Sequence, residues 1–151
     1  MKYLTFAVPS YNSQDYLDRC VRSLLPGGDD VEILIVDDGS TDSTAQIADR
    51  YQEEYPNIVR AIHQENGGHG EAVNTGMKNA TGFYFKVVDS DDWVDTSAYL
   101  KLLKAIKTLM AEQKNPDVII SNFVYEKDGA ARKKVMRYKR VLPTEDRKSV
   151  V

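Results

Sequence analysis

Val87-Val88-Asp89-Ser90-Asp91-Asp92-Trp93 is where an apolar run breaks into three carboxylates. The residues before it, Phe83 to Val88, read as a strand. Strands buried in a parallel sheet are near-continuous apolar runs, so the acidic cluster belongs where this strand leaves the sheet. In open α/β sheets that edge, at the carboxyl ends of the strands, is where ligands bind. Along an extended backbone, residues i and i+2 face the same way, roughly 6.5 to 7 Å apart. Asp89 and Asp91 therefore address one ligand while Ser90 points elsewhere. Two carboxylates that close repel unless a cation or donors stand between them. A divalent ion carrying a diphosphate suits them, because Mg²⁺-type ions use one or two carboxylates plus substrate phosphates. Taken alone, the run is more often a solvated acidic turn that caps the next helix.

Outward from that stretch the chain alternates strand and helix. Tyr3 to Val8 is the first expected strand, stopped by Pro9. Asn12 or Ser13 caps a helix to about Leu25, ended by Pro26-Gly27-Gly28. Val31 to Val36 is a second strand, closed by Asp37-Asp38-Gly39. Thr41 or Asp42 caps a helix to about Tyr55, and Ile58 to His63 is a third strand. Gly67, Gly68 and Gly70 turn into a helix ending near Gly82, and Phe83 to Val88 follows as the fourth strand. Tyr99, Leu102, Leu103, Ile106, Leu109 and Met110 mark one stripe of a helix from Thr96 to Gln113. Val118 to Tyr125 is the fifth expected strand. This order predicts an α/β fold, a Rossmann-like, mainly parallel sheet with helices on both faces. Asp128-Gly129 reads as a hairpin turn, and Arg132 to Arg140 as a basic β-ribbon in need of a partner. Thr144 to Val151 carries no periodic signal. Lys86 is out of place in a central strand.

Composition narrows the classes. The 151 residues suffice for one domain, and a formal net charge of −3 suggests no nucleic-acid partner. No apolar stretch approaches the ~20 residues that span a bilayer, and Tyr3 to Val8 is too short for a signal segment. A cytoplasmic location is the expectation. Cys20 is the one cysteine, which rules out an internal disulfide and a cysteine-based zinc site. With Tyr16, Leu17, Val21 and Leu24 at helical spacing around it, it reads as a buried structural thiol.

Three strand ends carry ligand-type residues: Val8-Pro9-Ser10-Tyr11-Asn12, Val36-Asp37-Asp38-Gly39-Ser40-Thr41-Asp42, and Asp89-Ser90-Asp91-Asp92. In a parallel sheet all three loops leave on one edge. Turn chemistry explains each alone, but explains the three together less well. With Asn66-Gly67-Gly68 and Asn74-Thr75-Gly76 they form an ordered set over roughly residues 3–125. That set resembles the N-terminal part of inverting glycosyltransferases of family two, which have the GT-A fold.

The resemblance implies roles for individual residues. Pro9 and Tyr11 would shape a nucleoside pocket, Tyr11 packing on the base. Asp38 would accept a hydrogen bond from the base, for which a uracil imide is suited, and Asp37 would orient the loop; the two aspartates are hard to tell apart. Asn12, Asn66, Gly67 and Ser90 join the substrate-binding set. Asp89 would meet the ribose or the water shell of a metal, and Asp91 would ligate Mn²⁺ or Mg²⁺ directly, with Asp89 as second metal candidate. Asp92 would touch the donor sugar or start the next helix. Trp93 reads as packing under the loop, and His69 as an exposed loop histidine. Gly68-His69-Gly70-Glu71 fails the dinucleotide fingerprint. Val73-Asn74 stands where an Arg-Asn pair is common in the family, so an arginine contact to phosphate is not expected there.

The implied reaction passes a sugar from a nucleotide diphosphate, UDP favoured, to a saccharide or lipid-linked acceptor with inversion. It needs a base, which family members supply far downstream. Glu145-Asp146 resembles one by letters alone and reads as solvated tail. Residues 1–125 are thus expected to form a donor-binding core, and 126–151 a ribbon and tail that begin an acceptor half. Poor turnover is the corresponding expectation. The basic ribbon raises peripheral membrane contact at the inner face as an option, with an ordinary solvated strand preferred. Two other classes stay open: a non-catalytic nucleotide-binding or interaction module, and a metal-dependent nucleotidyltransferase. The latter would carry a glycine-rich basic loop after strand one, which Val8 to Asn12 is not.

Overall fold

The computed structural model describes residues 1–126 and 133–137. The chain divides into two compact units, a first from Met1 to Ile106 and a second from Lys107 onward. In the first unit, β1 (Leu4–Ser10), β2 (Val31–Asp38), β3 (Val59–Gln64) and β4 (Tyr84–Val87) form one sheet in the order β3-β2-β1-β4. Every pairing in it is parallel. Helices α1 (Leu17–Leu24), α2 (Thr44–Glu54) and α3 (His69–Asn79) connect the strands, and α4 (Thr96–Ala111) follows β4.

The sheet is apolar because both of its faces are covered. Leu4, Phe6, Val8, Val31, Ile33 and Ile35 share a core with Leu17, Cys20, Val21 and Leu24 of α1, Ala48 and Tyr51 of α2, and Tyr99 and Leu103 of α4. On the opposite face α3 lies so close that a Cβ on Gly76 would stand 2.6 Å from the Ala7 Cβ. Small residues at that crossing let helix backbone and strand approach.

The expected α/β architecture is present, with differences at element ends. β1 runs through Pro9 to Ser10. β4 pairs with β1 only as far as Ala7, so at Pro9 the strand has a single partner, a setting where proline is tolerated. α1 starts at Leu17, with no side-chain cap, because Asn12 and Ser13 spend their side chains on other loops. Lys86 lies exposed on β4, an edge of the four-stranded sheet, which removes the puzzle of a central lysine.

The fifth strand is the main correction. Only Phe123–Tyr125 (β5) is strand, and it pairs antiparallel with Lys134–Met136 (β6) in a separate two-stranded sheet. Ser121-Asn122 interrupts the apolar run, and antiparallel pairing needs only a short connection. The basic ribbon thus finds its partner within the chain. The Asp128-Gly129 turn, Arg132, residues 138–140 and Glu145-Asp146 lie outside the described residues. No helix among those described is long and apolar enough to cross a membrane.

Candidate functional site

Strand register sets the site. Ser10, Asp37 and His63 stand side by side across β1, β2 and β3, and Gln64 lies beside Asp38. The carboxyl ends of three strands are therefore level. Successive strand residues point to opposite faces, so the two buried aspartates that close β2 serve different loops.

Asp38 faces the turn between β3 and α3. Its Oδ1 accepts from the Gln64 side-chain amide at 2.7 Å and the Gly67 N–H at 2.9 Å, and its Oδ2 accepts from the Gly68 N–H at 2.8 Å. Burial works to raise its pKa, but these donors outweigh it and hold the carboxyl below the ordinary range. Thr75 Oγ1 in turn donates to the Gln64 side-chain oxygen Oε1 at 2.6 Å. Asp37 faces the other way: its Oδ1 accepts the Ser40 N–H at 3.0 Å and its Oδ2 meets His63 Nδ1 at 2.9 Å. Between the two turns Gly39 adopts φ 70°, and a Cβ there would lie 2.9 Å from the Asn66 backbone nitrogen. Only glycine permits both the conformation and the approach.

The loop after β1 is fastened to two others. Asn12, at φ 48°, accepts from the Thr41 N–H at 2.8 Å, while its own N–H donates to Ser40 Oγ at 3.0 Å. The Ser13 N–H donates to Thr44 Oγ1 at 2.8 Å, and the hydroxyls of Ser13 and Ser90 share a 2.6 Å hydrogen bond. Asp42 accepts from the backbone N–H groups of Thr44 and Gln14. Loops after β1, β2 and β4 are thereby joined at the carboxyl edge. Tyr11 remains 52% exposed above this network, whereas Pro9 is buried in β1.

The acidic turn stands on α1. The Cys20 thiol donates to the Asp89 carbonyl at 3.6 Å, and its pKa is pushed up to about 12 by burial and by the charges of Asp92, Asp91 and Asp89. Asp92 is raised as well, by burial first and then by Asp91 and Asp89, with Lys86 opposing. Asp89 Oδ1 accepts from His69 Nε2 at 2.8 Å, which ties the start of α3 to the turn. Asp91 is exposed. Trp93 carries the Arg19 guanidinium 3.3 Å from its ring centroid, so α1 occupies one face of the indole.

Whether a divalent ion fits is a question of donor chemistry. Asp89 and Asp91 offer hard oxygen donors, and their combined field is felt at Asp92 and Cys20. Among the described residues no group of three histidines, cysteines or carboxylates is arranged to hold a metal. An ion of the Mg²⁺ type needs only one or two protein carboxylates and completes its shell from phosphate and water. The residues present fit such an ion.

His63, Asp49, Gln64 and Ser13 join the site without a site role expected from the sequence. The available signal was register: any strand order that sets β3 beside β2 puts His63 against Asp37.

The sequence matches the family model described as Glycosyl transferase family 2 over residues 5–149. Glycosyltransferase GlyG of Streptococcus pneumoniae is 38% identical over 122 residues, covering 80% of this chain and 38% of GlyG. S. aureus TarS 1-349 in complex with UDP is 30% identical with a TM-score of 0.63, over 73% of this chain and 33% of that one. The mannosyltransferase PcManGT from Pyrobaculum calidifontis, in complex with GDP-Man and Mn²⁺, is 28% identical with a TM-score of 0.59, over 70% of this chain and 32% of that one. The chain thus spans about a third of the length of these relatives. The family model runs from β1 across the joined loops, and on that match this chain belongs to glycosyl transferase family 2.

Proposed function

We propose that this chain supplies the donor site of an inverting, metal-assisted glycosyltransferase that moves a sugar from a nucleotide diphosphate to an acceptor hydroxyl. The observation that carries the reading is the hydrogen-bonded joining of the loops after β1, β2 and β4 at one sheet edge. The complexes of TarS with UDP and UDP-GlcNAc support a uridine donor, and the GDP-Man complex of PcManGT makes guanosine the second choice.

Tyr11 packs on the base. Asp38 holds Gly67 and Gly68, which sets the floor of the pocket. An ionised carboxylate offers about four acceptor sites; three carry protein donors, and the fourth, on Oδ2, would accept from a uracil imide N–H. Asn12 fixes Thr41 and Ser40 against the β1 loop. Asp91, helped by Asp89, would hold Mn²⁺ or Mg²⁺. When bound, the ion neutralises charge that develops on the departing diphosphate. Asp92, next in the chain to Asp91, would contact a hydroxyl of the donor sugar. The acceptor is a saccharide or a lipid-linked saccharide, met outside the loops described above.

The test is thermal stabilisation by UDP, GDP and CDP, each with Mn²⁺ or with EDTA. At a hundred times Kd, binding adds about 2.7 kcal/mol, roughly 5–10 °C for a chain of this size. The reading requires a UDP shift that EDTA and Asp91→Ala both abolish. Indifference to every nucleotide would overturn it.

A further inference from the structure

His63, near the end of β3, has a carboxylate on each ring nitrogen. Nδ1 lies 2.9 Å from Asp37 Oδ2 and Nε2 lies 2.9 Å from Asp49 Oδ1 of α2. A neutral imidazole has one N–H and one lone pair, so it satisfies one carboxylate and sets a lone pair against the other. Only the imidazolium donates to both. Asp37 passes the connection on, because its second oxygen accepts the Ser40 N–H at 3.0 Å and Ser40 Oγ accepts the Asn12 N–H at 3.0 Å. One chain of bonds therefore runs from α2 through His63 and Asp37 into the loops that carry Asp38 and Tyr11.

We infer that doubly protonated His63 is a positioning residue for the donor pocket: it clamps Asp37 to Asp49, fixes the Asp37–Thr41 loop, and loosens that loop when it loses a proton. The inference rests on the donor-pocket reading for its functional consequence. The charged groups facing the ring are Asp37 from β2 and Asp49 from α2, and both favour the cation, against a smaller opposing effect of partial burial. The imidazole is raised above its ordinary value of about 6.5. The sign follows from linkage: the clamp is fully formed below the ordinary value and is lost as pH rises through the higher folded one.

The discriminating variant is Asp49→Asn, on an exposed stretch of α2. Its side-chain amide donates to an unprotonated Nε2, so a neutral imidazole keeps its Nδ1–H on Asp37. The experiment follows the imidazole signals of the two histidines and the backbone amides by NMR against pH, in the full chain. In the wild type, the Ser40 and Gly39 amides move with the His63 midpoint, above the ordinary histidine range. In Asp49→Asn that midpoint falls and the Ser40 amide stays still between pH 6.5 and 8.5. UDP affinity of wild type relative to Asp49→Asn drops roughly three- to tenfold over that interval, the worth of about one hydrogen bond; ionisation of UDP itself cancels in the ratio. An ordinary His63 midpoint, a Ser40 amide indifferent to His63, or identical profiles for the two proteins would overturn the inference. If UDP binds neither protein at any pH, the donor-pocket reading fails, while the Ser40 titration still decides the clamp.

Discussion

Asp38 and Asp91 are both aspartates at strand ends, yet their surroundings demand opposite behaviour. Asp38 is buried and accepts three protein hydrogen bonds; Asp91 is exposed beside other carboxylates. Asp38→Asn turns an amide N–H₂ toward donors and leaves at least one of them without an acceptor. It is expected to cost about 1–3 kcal/mol of stability, measurable as a lower urea midpoint with an unchanged slope. Because the folded pKa of Asp38 is depressed, its contribution is present above the unfolded value near ~3.9. It is lost as pH falls through the folded value, so the gap between wild type and Asp38→Asn should close in acid. Cys20 gives a second residue-scale prediction. Buried and pushed up to about 12, it should ignore Ellman's reagent at pH 8 in the native protein and react fully once unfolded. Rapid reaction of the folded protein would contradict the placement of α1 under the acidic turn.

Elements were legible where the pattern was local. The runs Val31 to Val36 and Phe83 to Val88, bounded by Asp and Gly, named strands that the structure contains with ends displaced by a residue or two. Helix α1 begins three or four residues later than Asn12 or Ser13 as caps would start it, because both look like caps when read locally. Their actual partners are Thr41 and Ser90, 29 and 77 positions away. The fifth strand failed for a related reason: an apolar run does not say which strand it will pair with. The contact of α3 with β1 makes a prediction at this scale. Helix propensity alone says that Gly76→Ala should stabilise by up to about 1 kcal/mol. The Ala7 Cβ at 2.6 Å from the new methyl says the reverse, with a cost of about 1–3 kcal/mol from overpacking. A raised melting temperature for Gly76→Ala would show that α3 does not seat there.

Across the whole molecule, the order of motifs carried more than any one of them. Asp89 to Trp93 alone was an acidic turn; with Val8 to Asn12 and Val36 to Asp42 it became one edge of a parallel sheet. The cross-connections escaped the sequence. His63 reaches Asp37 and Asp49 at separations of 26 and 14 residues, and these meet only once β3 lies beside β2. A donor site at this edge requires three loops that act as one surface for a nucleotide. Amide chemical-shift mapping during titration with UDP and Mg²⁺ tests that most directly. Concerted shifts at Tyr11–Asn12, Asp38–Thr41 and Asp89–Asp91 with a single Kd are the expected result. Shifts confined to one of these loops, or gathered on α1 and α2 away from the sheet edge, would contradict it.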